Sequence, residues 1–294
     1  MKGVGKVAQM GRFDSPADVK ERLASAQYLA DDHVAVTVYL ADSLNKPILC
    51  EGPAGVGKTE LAKTLAKATG QSLLRLQCYE GLDEAKALYE WNYKKQLLRI
   101  QADPGEHEWQ RVEHDIFTEE FLLSRPLLSA IRSPEPVVLL IDEVDRVEVE
   151  TEALLLEVLS EWQVSIPELG TISAEKLPLV VLTSNNTREL SEALKRRCLF
   201  LHMDYPDIAR EREIILTRIP DIDAAFAEQI AAVVRSIRGF DLKKAPSISE
   251  TLDWARTLLL LGLDRLDTKA TVDTLSLLLK YQQDIEKVRR ELVV

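Results

Sequence analysis

The sequence predicts an α/β fold, a parallel sheet flanked by helices, followed by a smaller all-helical domain. Three observations predict it. Gly52-Pro53-Ala54-Gly55-Val56-Gly57-Lys58-Thr59 follows a short apolar run at 47–50 and precedes a stretch of helical spacing at 60–67. Val137-Val138-Leu139-Leu140-Ile141-Asp142-Glu143 is a continuous apolar run ending in two acids, the pattern of a strand covered on both faces. Beyond Asp204 no strand pattern remains, so the chain divides into residues 1–203 and residues 204–294.

The bulk numbers fit that division. With 294 residues, 46% apolar and 29% charged, the chain can build one α/β core and a smaller second domain. A net charge of −11 with no long basic block disfavours nucleic acid as a partner, because phosphate neutralisation needs clustered Lys and Arg. Cys50, Cys78 and Cys198 are odd in number, far apart and without metal-ligand spacing, so they read as buried thiols in a reducing, cytoplasmic setting. No apolar h-region follows the charged N-terminus, and the longest apolar run considered, Leu258-Leu259-Leu260-Leu261, is far short of a membrane span. His33, His107, His114 and His202 have no metal-site spacing.

The elements follow in order. Residues before Arg12 read as a frayed tail. Ser15-Pro16-Ala17-Asp18 starts a helix, with Ser15 as N-cap and Pro16 in the first turn; Val19, Leu23, Ala26 and Ala30 continue its spacing. A second helix runs from Asp32 to Leu44. The glycine-rich stretch fits G-x-x-x-x-G-K-[ST] at every fixed position, and strand, loop and helix are the context this phosphate-binding motif needs. Gly70 ends its helix. Residues 72–78 read as a strand. The polar, aromatic segment 79–113 holds Tyr79, Tyr89, Trp91, Tyr93 and Trp109, with helices expected at 83–89 and 91–100 and a turn at Asp103-Pro104-Gly105-Glu106. Those aromatics either form a binding surface or pack the insertion against its own body. Spacing predicts a helix over 118–131, with Pro126 marking a break or a start. After the apolar run 137–141 come an amphipathic helix at 149–162, a hairpin at 163–173 turning at 167–170, a buried strand at 179–185, a short helix at 190–198 with a basic end, and a last strand at 199–203. The remainder reads as helices at 207–218, 224–238, 247–261 and 268–280, with a final amphipathic stretch to Leu292.

The chemistry follows from residue types. The motif assigns nucleotide binding to Gly52, Pro53, Ala54, Gly55, Val56, Gly57, Lys58, Thr59 and the adjoining Glu60, with ATP and Mg²⁺ as cofactors. Lys58 would reach the β/γ-phosphates, and the Thr59 hydroxyl would ligate Mg²⁺. Asp142 would hold the same Mg²⁺, mostly through water, and Glu143 would act as general base on the attacking water. An apolar strand ending in Asp-Glu is a weak signal alone and a strong one about eighty residues after a P-loop. Thr183 and Asn185 would face the same cleft as Asp142 if their strands are neighbours.

Walker A, insertion, Walker B, hairpin, a strand ending in Asn, a basic cluster and a helical lid, in that order, resemble AAA+ ATPases. The chain is more narrowly similar to the MoxR branch through Arg75-Leu76-Gln77-Cys78-Tyr79-Glu80-Gly81-Leu82-Asp83, Leu88-Tyr89-Glu90-Trp91-Asn92-Tyr93, the hairpin Gln163–Ile172 after Trp162, Leu182-Thr183-Ser184-Asn185, Leu194-Lys195-Arg196-Arg197-Cys198 and Pro246-Ser247-Ile248-Ser249-Glu250-Thr251-Leu252. Within that branch it looks like the group found beside molybdenum-containing hydroxylases of the carbon monoxide dehydrogenase type. The resemblance spans about residues 12 to 265 and implies that Asn185 orients the attacking water as sensor 1. It also implies an arginine finger completing a neighbour's site, Arg197 with Arg196 as the alternative, and so a ring, usually a hexamer. At sensor 2 the chain departs from the pattern: Ser249 or Glu250 stands where related ATPases carry arginine, and Arg256 lies two turns later.

The reading that results is an ATP-hydrolysing MoxR-type chaperone that remodels a client protein, a molybdenum hydroxylase among the candidates, with or without an adaptor, to assist metal-cofactor insertion. The rivals are a nucleic-acid motor or loader, a small-molecule P-loop kinase, and a module that holds ATP without turnover.

Overall fold

A computed structural model describes residues 11–102 and 116–293. The N-terminal tail, the turn at 103–106, His107, Trp109 and His114 lie outside the described residues. Ser15 caps the first helix as its spacing predicts, its hydroxyl accepting the Asp18 amide at 3.2 Å. This helix, α1 (Pro16–Ser25), stops before Ala26 and Ala30, because the chain turns at Gln27, whose φ is 63°. Helix α2 (Asp32–Leu44) is capped by Asp31, which accepts the Val34 amide at 2.7 Å.

Strand β1 (Ile48–Glu51) leads through the glycine-rich loop into α3 (Lys58–Thr69), and Gly70, at φ 67°, takes the left-handed conformation that ends it. Next come β2 (Ser72–Gln77) and an insertion that departs from expectation. The helix predicted at 83–89 is a single turn, α4 (Glu84–Ala87), followed by β3 (Tyr89–Trp91) and α5 (Tyr93–Ala102). The helix predicted over 118–131 is a 3₁₀ turn, then β4 (Leu122–Ser124), then α6 (Pro126–Ile131). The physical reason is Pro126, which forces Arg125 into an extended backbone and can only open a helix. Strands β3 and β4 pair antiparallel, Trp91 opposite Leu122. The insertion's aromatics divide: Trp91 is buried edge-on against Phe117, with ring centroids 5.1 Å apart, while Tyr79 and Tyr93 are exposed.

Strand β5 (Val137–Asp142) is buried along its whole length, as is β8 (Leu179–Ser184). Between them lie α7 (Val149–Glu161) and the hairpin β6 (Gln163–Ile166) and β7 (Gly170–Ser173). Helix α8 (Glu192–Arg197) and β9 (Leu199–His202) follow. The five-stranded sheet has the order β2-β5-β8-β1-β9, and the β2–β5, β5–β8 and β8–β1 pairs are parallel. All three cysteines are buried thiols, as expected.

After β9 the chain is helical: α9 (Ile208–Arg218), α10 (Ala224–Arg238), α11 (Ile248–Leu260), α12 (Thr268–Leu278) and α13 (Gln282–Val293). The chain divides into two compact units. One contains α1 with Ala30–Glu51 and Thr59–Leu201; the other contains Gln27–Leu29, Gly52–Lys58 and His202–Val294. The second has its own core around Phe226, Ile230, Val234, Trp254 and Leu275. Inside it Arg238 and Glu211 form a buried bidentate pair at 2.6 and 2.8 Å. The same guanidinium lies over the Tyr205 ring, 4.5 Å from its centroid. Removing one partner of such a pair strands the other charge, so Arg238→Met should cost about 3–5 kcal/mol, read as a fall in Tm by calorimetry.

Candidate active site

The glycine-rich loop belongs to the second unit and is held there by specific contacts. The Tyr205 hydroxyl donates to the Ala54 carbonyl at 3.2 Å, and the Ile248 amide donates to the Gly55 carbonyl at 3.1 Å. Gly55 has φ 79°, and a Cβ on it would lie 2.1 Å from the Ser247 Cβ. Left-handed backbone alone costs an L-residue about 1–2 kcal/mol. Gly55→Ala should therefore lower Tm and weaken nucleotide binding, measured by thermal denaturation and by titration with a fluorescent nucleotide. Adding Ser247→Gly relieves the overlap but not the backbone strain, so recovery should be partial.

Lys58, the first residue of α3, is buried, and its ammonium donates to the carbonyls of Gly52 and Pro53, both at 2.7 Å. It thus sits on the loop that the motif curls around phosphates. Val56 is buried, Ala54 and Gly55 are exposed, and Glu60 is half-buried in the first turn of α3.

The acids belong to the first unit. Asp142 is buried at the C-terminal end of β5. One carboxylate oxygen accepts the hydroxyls of Thr59 at 2.9 Å and Thr183 at 2.6 Å; the other accepts Arg75 at 2.5 Å. The expected neighbourhood of Thr183 and Asp142 is thus present, because β5 and β8 are adjacent. The hydroxyl of Thr59 beside the carboxylate of Asp142 is a pair of hard oxygen donors, which suits Mg²⁺. Glu143 takes a left-handed backbone, φ 58°, with its amide donating to the Thr183 hydroxyl at 2.9 Å. Its half-exposed carboxylate pairs with Arg146 at 2.6 Å. The Cys78 thiol beside these acids is pushed up to about 12, first by burial and then by the charges of Asp142, Asp145 and Glu143. It stays protonated, which suits packing and not nucleophilic chemistry.

Asn185 lies one residue past β8, and its amide donates to Asp145 at 3.2 Å. Arg197 ends α8, exposed, with its Nε donating to the Ser160 hydroxyl. Arg196 is exposed, 3.9 Å from Glu192. No hydrogen bond or ion pair among the described residues joins either arginine to Asp142 or Glu143. Of the sensor 2 candidates, Glu250 closes a capping box with Ser247 and pairs with Lys244, Ser249 is exposed, and Arg256 pairs with Asp253 at 3.1 Å. Sequence reasoning missed Arg75, Asp145, Arg146, Tyr205 and Arg238. For Arg75 and Asp145 the signal was strand order: β2 and β8 both flank β5.

Comparison with known proteins adds independent findings. Residues 47–198 match a family model described as an AAA domain of the dynein-related subfamily. An uncharacterized protein of Staphylococcus haemolyticus is 26% identical over 261 residues, covering 85% of this chain and 92% of that protein. One from Staphylococcus aureus is 27% identical over 243 residues, covering 79% and 85%. Among solved structures, two variants of Thermotoga maritima RuvB are similar with a TM-score of 0.50 at 18% and 17% identity, each covering 88% of this chain and 68% of its own. Those structural likenesses speak to fold alone.

Proposed function

The chain belongs to the AAA domain family, dynein-related subfamily, and from that premise we propose that it is an ATP-hydrolysing, ring-forming chaperone of the MoxR type, acting on a client protein during metalloenzyme maturation. The observation that carries the hydrolytic part is the group Thr59–Asp142–Thr183–Glu143, in which the Thr183 hydroxyl donates to the Asp142 carboxylate and accepts the Glu143 backbone amide. In this reading residues 1–203 are the nucleotide-binding core and residues 204–294 the lid.

The loop amides of residues 52–60, other than that of Pro53, which has no N–H, and the Lys58 ammonium bind the phosphates, the helix N-terminus of α3 favouring negative charge there. Thr59 and Asp142 hold Mg²⁺, which when bound offsets charge on the β- and γ-phosphates. Glu143 accepts a proton from the attacking water, Asn185 orients that water, and Arg197 of a neighbouring copy stabilises the developing charge. The exposed insertion aromatics Tyr79 and Tyr93 and the β6–β7 hairpin then move against the client.

The test is phosphate release from ATP with Mg²⁺, followed by affinity capture with Glu143→Gln, which should hold the ATP state and retain a client. Phosphate appearing on a metabolite would instead indicate a kinase, and strong stimulation of hydrolysis by DNA would indicate a nucleic-acid motor.

A further inference from the structure

Asp145 is a buried carboxylate two residues beyond the general-base candidate, in the 3₁₀ turn Val144–Arg146 that follows β5. Its Oδ2 accepts three donors from the loop after β8: the Thr187 hydroxyl at 2.7 Å, the Thr187 amide at 2.9 Å and the Asn185 amide at 3.2 Å. Its Oδ1 is buried with no hydrogen-bond partner among the described residues. Burial raises the carboxyl's pKa, but the donors from Thr187 and Asn185 outweigh it and hold the group below the usual carboxylate range. The loop it grips contains Asn186 at φ 57°, a conformation that an asparagine holds more readily than most residues but still at a cost.

The arrangement is reciprocal. At the end of β5 the Glu143 amide donates to a side chain of β8, Thr183; just past the end of β8 the Asn185 amide donates to a side chain that follows β5, Asp145. The two bonds lace together the backbones of the two residues that must meet the same water. We propose that Asp145 is a positioning residue: it sets Asn185 against Glu143 and acts on hydrolysis through Asn185, without touching nucleotide. This rests on the hydrolytic reading above.

The experiment is a double-substitution cycle in the full chain. Asp145→Ala removes the carboxylate oxygen that takes all three donors. It should lower kcat for ATP hydrolysis by about 10- to 100-fold, the cost of a small misplacement. The dissociation constant for ATP should stay within about 2-fold. In an Asn185→Ala background the same substitution should change kcat by less than about 2-fold, because the residue it works through is gone. Equal losses in both backgrounds, or no loss in either, overturn the proposal. Thr187→Val removes a single donor with little risk to folding and should show a smaller loss with the same dependence on Asn185. Hydrogen exchange at the Asn185 and Thr187 amides reads the clamp independently of turnover. Unchanged protection in Asp145→Ala overturns the proposal even if the chain hydrolyses nothing. Lost protection in a chain that hydrolyses nothing means that the clamp stands and the hydrolytic reading fails.

Discussion

Glu143→Gln should lower kcat for ATP hydrolysis by about 10²- to 10⁴-fold, the range over which a positioned general base contributes. Nucleotide binding should survive. The geometry explains the separation. The Glu143 backbone is held through its amide by Thr183, and the substitution leaves that bond intact. Asp142 and Thr59, the candidate metal ligands, bond each other independently of the Glu143 side chain. The amide of glutamine has the same shape as the carboxylate but cannot take a proton from water. The substitution also removes the ion pair to Arg146, whose partners are 54% and 35% exposed, so its loss should cost no more than about 1 kcal/mol. Stability therefore should not obscure the kinetic result. Phosphate release at saturating Mg²⁺ and ATP, together with equilibrium nucleotide binding, makes the measurement. A wild-type rate in a variant that binds ATP removes Glu143 from the chemistry. Lys58→Ala provides the contrast, since it should fail at binding before hydrolysis is reached.

How much of this site could be read from the chain depends on the distance over which each signal acts. The phosphate loop, α3, β5 and β8 announce themselves locally: fixed glycines with a lysine, a helical period, and apolar runs long enough to need cover on both faces. The helices α9 to α12 are legible for the same reason, each opened by a capping acid or serine. The β3–β4 pair was not legible, because three-residue strands such as Tyr89–Trp91 are too short to show a period, and the apolar spacing around Phe121 imitates a helix. Arg75 illustrates a different limit. Its strand was predicted, but its contact with Asp142 needs β2 beside β5, with Gln77 in register with Asp142, and chain order alone does not specify strand order. Asp145 was hidden in the same way. It is one more acid in an acidic stretch until the loop after β8 is folded against it. The partnership between Thr183 and Asp142 was accessible only as a conditional, and adjacency of the two strands met the condition.

Arg197→Ala should reduce ATP hydrolysis by about 10³- to 10⁵-fold if the residue is a finger acting across a subunit boundary. Nothing in the bonding of one chain requires that. Arg197 is exposed, lies at the end of α8, and donates to Ser160. It is available to another copy, as is Arg196, whose contact with Glu192 is long and exposed. A mixing assay separates the possibilities. In Arg197→Ala subunits the phosphate loop is intact and the finger absent; in Lys58→Ala subunits the reverse holds. In a head-to-tail ring assembled from equal amounts of both, about a quarter of the interfaces join an intact loop to an intact finger. Activity should therefore return to about that fraction of the wild-type rate, from two preparations that are each inactive. Recovery seen only when Arg196→Ala replaces Arg197→Ala in the mixture moves the finger by one residue. Wild-type activity in the Arg197→Ala protein alone removes that residue from the chemistry. Inactive single variants that never complement would place the arginine in the same subunit as the site, and the ring would then have to be justified by something other than catalysis.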